Sequence, residues 1–190
     1  MLRKTSLILV FAMAQIGCVS RMAESHDGLA PRATPSDEYA AFVVKLETGD
    51  KMLSSSDFDK AEMNFQEANR IATKHDWVNE TVSSTTKLGK VSVARRDLTL
   101  AEKYYTEAVR ICQSSPECDV DQLDIAVSFL NLFYVFRLKT PGEAAAVLTR
   151  LDSSEKCASG ECDKFICEQW SWIASSGGDA SQRPEKCKGR

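Results

Sequence analysis

Apolar and polar residues follow one another along most of this chain with the period of a helix, not a strand. Residues 57–71 read DFDKAEMNFQEANRI, and residues 97–111, forty positions later, read DLTLAEKYYTEAVRI. The two stretches agree at Asp57/Asp97, Ala61/Ala101, Glu62/Glu102, Glu67/Glu107, Ala68/Ala108, Arg70/Arg110 and Ile71/Ile111, and Phe65 aligns with Tyr105. A small residue, an aromatic four positions on and a small residue three further on share one helical face. Each stretch therefore predicts an amphipathic helix that another helix approaches closely, with the aromatic filling the space between. Gly49 and Gly89 stand twelve positions before Ala61 and Ala101. An interior helical Gly costs about 1 kcal/mol relative to Ala, which close contact between Gly49 and the paired helix at Ala61 would offset.

The other elements follow in order. Thr34 and Pro35 start a first helix that runs to about Ser54: Thr caps, Pro suits the first turn, and Asp37 and Glu38 complement the dipole. Its apolar residues include Phe42, Val43, Leu46, Met52 and Leu53. Ser55, Ser56 and Asp57 break it and cap the next helix, which runs to about Thr73. A second pair covers residues 76–95 and 98–113, with Asn79 read as a helix cap. The third pair diverges. Residues 120–138 contain AVSFLNLFYVFRL, apolar nearly all round, as in a helix buried on several sides. The stretch is too short, and too interrupted by Ser128, Asn131 and Arg137, for a membrane span. Residues 143–151 form its partner, with Ala144, Leu148 and Leu151 in the small, aromatic and small positions and Leu132 in place of the Gly. Residues 161–174 place Phe165, Ile166, Trp170 or Trp172, and Ile173 at helical spacing and predict a capping helix. Residues 175–190 read as a tail fixed at one point, Cys187.

The small–aromatic–small pattern behind an upstream Gly resembles the second helix of a tetratricopeptide repeat (TPR), with two good units and one degenerate unit. The resemblance implies an all-α fold: a short right-handed superhelix of antiparallel helix pairs, closed by a disulfide-stapled C-terminal capping helix. A unit of forty-odd residues exceeds the family's usual length of about thirty-four, so the helices or the turns must be longer. The resemblance also implies that a peptide or protein segment binds the concave surface formed by the first helix of each pair. Carried over, those positions are Val43, Leu46, Asp50 and Leu53; Ser83, Thr86, Lys90 and Val93; and Ala126, Phe129, Phe133, Phe136 and Arg137. Asp50, Lys90 and Arg137 are the polar partner-binding candidates and Phe133 the aromatic anchor. The same residues have plainer readings. The Phe cluster reads as core under the capping helix, and Asp50 and Lys90 read as a solvated face.

The start of the chain changes the setting. Arg3 and Lys4 precede an apolar run of eight, LILVFAMA, which is an export signal too short to span a bilayer. Gln15-Ile16-Gly17-Cys18 then resembles a bacterial lipoprotein signal. That resemblance implies lipid on Cys18 and a bacterial outer-membrane anchor, although Gln15 stands where an aliphatic residue is usual. Plain secretory cleavage after Ala12-Met13-Ala14 is the rival. The expected organisation is a signal peptide over 1–17, lipidated Cys18 and a flexible tether over 18–34, a TPR-like repeat domain over 35–152, and a Cys-rich capping helix and tail over 153–190. Seven Cys are present. With Cys18 set aside, Cys112, Cys118, Cys157, Cys162, Cys167 and Cys187 form an even set, as disulfides in an exported chain require. Cys112 and Cys118 bracket a short loop and are the best pair. The other four would form two bridges that pin the C-terminal part. A zinc site is the competing use of clustered Cys, but C-x-x-C spacing and a nearby His are both missing.

Charge and motifs narrow the function. The formal net charge is −3 and becomes −5 once Arg3 and Lys4 are removed with the signal. No basic stripe interleaved with aromatics points to nucleic acid. There is no G-x-S-x-G, P-loop or H-E-x-x-H, and the only histidines, His26 and His75, lie far apart in the sequence. No enzyme, cofactor or metal is expected. The reading is a membrane-tethered, protein-binding scaffold of the bacterial cell envelope. The alternatives are a structural subunit of a secretion or pilus-type envelope machine, and an exported thiol or metal protein.

Overall fold

A computed structural model describes residues 37–188; Cys18, the signal, the tether and the Thr34-Pro35 start lie outside them. The described chain is all helical: α1 (Asp37–Ser54), α2 (Phe58–Lys74), α3 (Val78–Ala94), α4 (Leu98–Ser114), α5 (Val120–Leu132), α6 (Pro141–Asp152) and α7 (Asp163–Ser175), with short 3-10 turns after α6 and α7. Helices α1/α2 and α3/α4 pack as antiparallel pairs, and α2 packs on α3. None of the described helices is long and apolar enough to cross a membrane.

The forty-residue period comes from a twenty-residue one. Helices α2, α3 and α4 are each 17 residues long, and the turns between them take the other three. The middle residue of each turn is left-handed: Ser56 (φ 63°), Asp76 (φ 55°) and Arg96 (φ 65°). In each turn the next N–H reaches back into the finished helix, Asp57 to Met52 O (2.9 Å), Trp77 to Ala72 O (3.0 Å) and Asp97 to Ser92 O (2.9 Å). Such bonds satisfy terminal carbonyls and stop the helix. Asp57 and Asp97 then start the next helix, accepting from Lys60 N (3.3 Å) and Leu100 N (3.0 Å). The extra length of the unit thus lies in the helices, while the turns stay short.

Within each pair the Gly meets the aromatic ring itself. A Cβ on Gly49 would lie 2.4 Å from Phe65 Cε1, and one on Gly89 would lie 2.5 Å from Tyr105 Cε1. The expected close contact of Gly49 with the paired helix is present, and the nearest atoms belong to Phe65, one turn on from Ala61. The ring lies flat on the bare backbone, and Ala61, Ala68, Ala101 and Ala108, all at 0% exposure, line its helix on the buried side.

The third pair departs further from the pattern. The stretch expected to be one helix to Leu138 ends as α-helix at Leu132 and widens into a π-helical turn, Phe133–Leu138. Lys139 then takes φ 60°, and Thr140 N bonds Tyr134 O at 2.9 Å. The wider turn lets three consecutive residues, Phe133, Tyr134 and Val135, all be buried. The largest of three core clusters runs from Val82 to the last bridge at Cys187 and includes the fully buried Leu123, Leu148, Ile166 and Trp170. The tail is held at more than the one expected point. Lys186 pairs with Asp152 (2.5 Å) and Asp163 (2.6 Å), and Arg183 Nη2 donates to Ser171 Oγ at 2.8 Å.

Candidate functional site

The first helices of the three pairs, α1, α3 and α5, carry the residues expected to meet a partner. Helix α3 is rich in hydroxyls, and Ser84, Thr85, Thr86 and Ser92 are buried in it. Those hydroxyls donate to carbonyls of the preceding turn within the helix: Thr85 to Thr81 O (2.7 Å), Thr86 to Val82 O (2.9 Å) and Ser92 to Leu88 O (3.0 Å). None of these buried α3 hydroxyls is then left without an acceptor. Asn69 of α2 donates to Ser84 Oγ (3.0 Å) and Thr85 Oγ1 (2.9 Å), which fixes α3 against the first pair. Arg95 at the end of α3 reaches Asp59 and Glu62 of α2, both at 2.5 Å.

Lys87 and Lys90 point from α3 toward this face and differ in environment. Lys87 Nζ lies 2.6 Å from Asp50 of α1. Lys90 has no such partner: its Nζ sits 4.1 Å from the centroid of the Phe129 ring of α5, and among the described residues no carboxylate or carbonyl accepts from it. Burial pulls its pKa down to about 8; the Lys87 charge adds to that shift and Asp50 opposes it. A cation over an aromatic face is attracted to the ring quadrupole, but the ring accepts no conventional hydrogen bond. Phe129 is stacked in turn on Tyr105, with centroids 6.1 Å apart and planes at 11°. Burial raises the Tyr105 hydroxyl above its usual range, and the charge of Arg137 opposes the rise. Asp50, Lys87, Lys90, Phe129 and Arg137 are thus grouped about one aromatic stack.

The expected residues do not all fall at the surface. Asp50 and Arg137 are exposed and Lys90 is half-buried. Phe133, expected as the aromatic anchor, is 2% exposed; it packs between Tyr105 (5.7 Å) and Tyr134 (6.0 Å). Its ring belongs to the core, and the ring beneath Lys90 is that of Phe129. Asn79 does not cap α3, contrary to the expectation. Trp77 is the N-cap residue of α3, and Asn79 bonds forty residues ahead. It accepts from Asp119 N (3.0 Å) and donates to Asp119 Oδ2 (2.6 Å), which ties the second pair to the residue before α5. Lys87 was missed, although its place three residues before Lys90 puts it on the same helical face.

All six described cysteines are paired: Cys112–Cys118, Cys157–Cys162 and Cys167–Cys187, with Cα atoms 5.1, 5.2 and 5.0 Å apart. The expected Cys112–Cys118 bridge is present. A bridged sulfur is not a thiolate, so these residues supply neither zinc ligands nor a thiol nucleophile. Three bridges belong to the chemistry of an oxidising, extracytoplasmic compartment.

No protein-family model matches the chain, and no significant match is found to a curated protein or to a solved structure. Its all-α helix pairs, with a Gly seated on an aromatic ring at the same spacing twice over, are consistent with a helical-repeat protein.

Proposed function

We propose that this chain is a non-catalytic, TPR-like binding scaffold of the bacterial cell envelope. The helix pairs form a short right-handed superhelix, α7 caps its last pair, and the concave face of α1, α3 and α5 captures an acidic segment of a partner protein. One observation carries the reading. Lys90 is a half-buried ammonium that lies over the Phe129 ring with no carboxylate partner among the described residues, while the nearby carboxylate of Asp50 is held by Lys87. A partly desolvated cation with no protein acceptor is less favourable than a paired one, and a partner carboxylate laid over Phe129 would supply the pair. Arg137, exposed beside the same stack, adds a second positive charge. The pair is not the full carboxylate clamp of chaperone-binding members of the family, so the segment is read as acidic without a fixed terminus. Lipid on Cys18 would hold the domain near the outer membrane.

The test is capture from an envelope extract by wild type and by the Lys90→Glu/Arg137→Glu double variant, with retained proteins identified and their binding segments mapped by peptide arrays. Wild type should retain acidic segments, and the variant should bind them at least about tenfold more weakly, as losing a charged hot spot does. If the variant retains the same segments equally well, the concave-face assignment fails. Mass measurement of the mature N-terminus separately decides between acylated Cys18 and cleavage after Ala14.

A further inference from the structure

Lys90 differs from other lysines of the chain in what its nitrogen meets. Lys60, Lys74, Lys87, Lys186 and Lys188 each pair with a carboxylate, and Lys156 donates to the carbonyls of Ser115 and Cys118. Lys90 is half-buried, and its Nζ lies 4.1 Å from the centroid of the Phe129 ring. Lys87 of α3 and Asp50 of α1 carry the charges that act on it. Phe129 of α5 supplies the ring, Tyr105 of α4 is stacked on that ring, and the charge of Arg137 acts on Tyr105. Burial first, and then Lys87, lower the Lys90 pKa to about 8 against the pull of Asp50. At about pH 7.5 roughly a quarter of such a side chain is the free amine, against about a thousandth for an ordinary lysine.

A free amine in a partly desolvated site is a nucleophile, and the surroundings select what it can hold. Lys87 Nζ gives two of its three N–H groups to the Asp50 carboxylate, at 2.7 and 2.6 Å. One donor therefore remains for an oxygen brought to Lys90. Lys87 also acts on Lys90 more strongly than Asp50 does, so the field of these two charges repels a cation there and attracts an anion. The matching electrophile is small enough for a half-buried site, uncharged on entry, and anionic once an amine has added to it. Carbon dioxide meets all three demands, and its addition releases no leaving group.

We propose that Lys90 binds carbon dioxide covalently, as a carbamate whose oxygen is received by Lys87. The Nζ lone pair attacks the carbon, an N–C bond forms, one C–O π pair moves onto oxygen, and an Nζ proton leaves to water. Free amine and carbon dioxide thus give a carbamate anion and a proton, and nothing is oxidised or reduced. Reprotonation of the nitrogen reverses the step. This site does not rest on the concave-face reading, because the adduct itself is what is measured. The test equilibrates the purified full chain at about pH 7.5 with carbon-13-labelled bicarbonate and carbon dioxide, traps carbamates as ethyl esters with triethyloxonium, and maps them by mass spectrometry. Lys90 should carry the label at least about tenfold above Lys60, whose bond to Asp57 raises its pKa. Buffer purged of carbon dioxide should give no label. Lys87→Met should cut the Lys90 adduct at least about fivefold, because the receiving donor is lost and Asp50 is freed to hold the ammonium. Asp50→Asn should not reduce it. Labelling of Lys90 no greater than that of Lys60 in the wild-type chain overturns the proposal, whatever the variants do. A Lys90 adduct indifferent to Lys87→Met, in a variant with unchanged helical circular dichroism, overturns it as well.

Discussion

Lys90 sets stability against binding at a single side chain. Its pKa is depressed to about 8, first by burial and then by Lys87, so the folded state disfavours the ammonium that the unfolded chain keeps up to the ordinary lysine range. Between about pH 8 and that range the unfolded state binds more protons than the folded one. The Lys90 contribution to stability therefore rises with pH through that window. Replacing the ammonium with an apolar side chain of similar length removes the desolvation cost. Lys90→Met is expected to raise the stability of the free chain by about 1 kcal/mol at pH 7, the size typical of a single stabilising substitution, and to flatten the rise above pH 8. Urea midpoints at pH 7 and pH 9.5 for both chains check this. Partner capture should behave oppositely. It needs the charged form, so it weakens as pH rises through about 8 and is lost in Lys90→Met at every pH. A Lys90→Met chain that is less stable and still binds would show that the ammonium matters only to the fold.

At the scale of the element, the helix crossings rest on Gly49 and Gly89. Gly→Ala in an exposed helix gains about 1 kcal/mol. At Gly49 and Gly89 the new methyl would stand 2.4 and 2.5 Å from ring carbons of Phe65 and Tyr105, and overpacking of this kind typically costs about 1–3 kcal/mol. Gly49→Ala and Gly89→Ala are each expected to destabilise by about 1 kcal/mol net, measured by denaturant titration. Gly142→Ala, which meets nothing within 4 Å, should not destabilise. Phe65→Leu should recover part of the loss in the Gly49→Ala background but not in the Gly89→Ala background. Most of this level was legible in the chain. The forty-residue echo carries the helix pairs, the Asp caps at 57 and 97, and the Gly that each pair needs. The shared Glu67/Glu107 and Arg70/Arg110 proved to be surface ion pairs, at 2.7 and 2.6 Å. The left-handed turn positions were not legible, because Ser56, Asp76 and Arg96 carry no glycine signal. Nor were the widening at Phe133 and the reach of Asn79 to Asp119, since both depend on contacts far along the chain. Of the candidate site, Asp50, Lys90 and Arg137 came from helical spacing by resemblance. The burial of Phe133 and the Lys87–Asp50 pair that leaves Lys90 alone required three-dimensional neighbours.

For the whole molecule, the bridges are distributed unevenly. All three involve residues from Cys112 onward, and helices α1 to α3 hold together by packing, Asn69 and ion pairs alone. From α2 to α4 the chain keeps a strict beat of 17 helical residues and three turn residues. A chain with that beat can change length in whole units without losing register. Deleting residues 57–96 would join Ser56, already left-handed, to Asp97, already a helix cap. Gly49 would then meet Tyr105 at the sixteen-residue spacing at which it now meets Phe65. The shortened chain is expected to fold with helical circular dichroism lower in proportion to the two helices removed, and to keep a cooperative melt. A chain with residues 57–96 duplicated should gain helix by the same increment. A molten or aggregated product from both changes would mean that the inter-pair contacts of Asn69, Arg95 and Asn79 are specific to their places and not interchangeable. Read this way, the turns at Ser56 and Arg96, alike in backbone and each followed by an Asp cap, are splice points at which the architecture can lengthen or shorten by recombination within its own coding sequence while every helix downstream keeps its face.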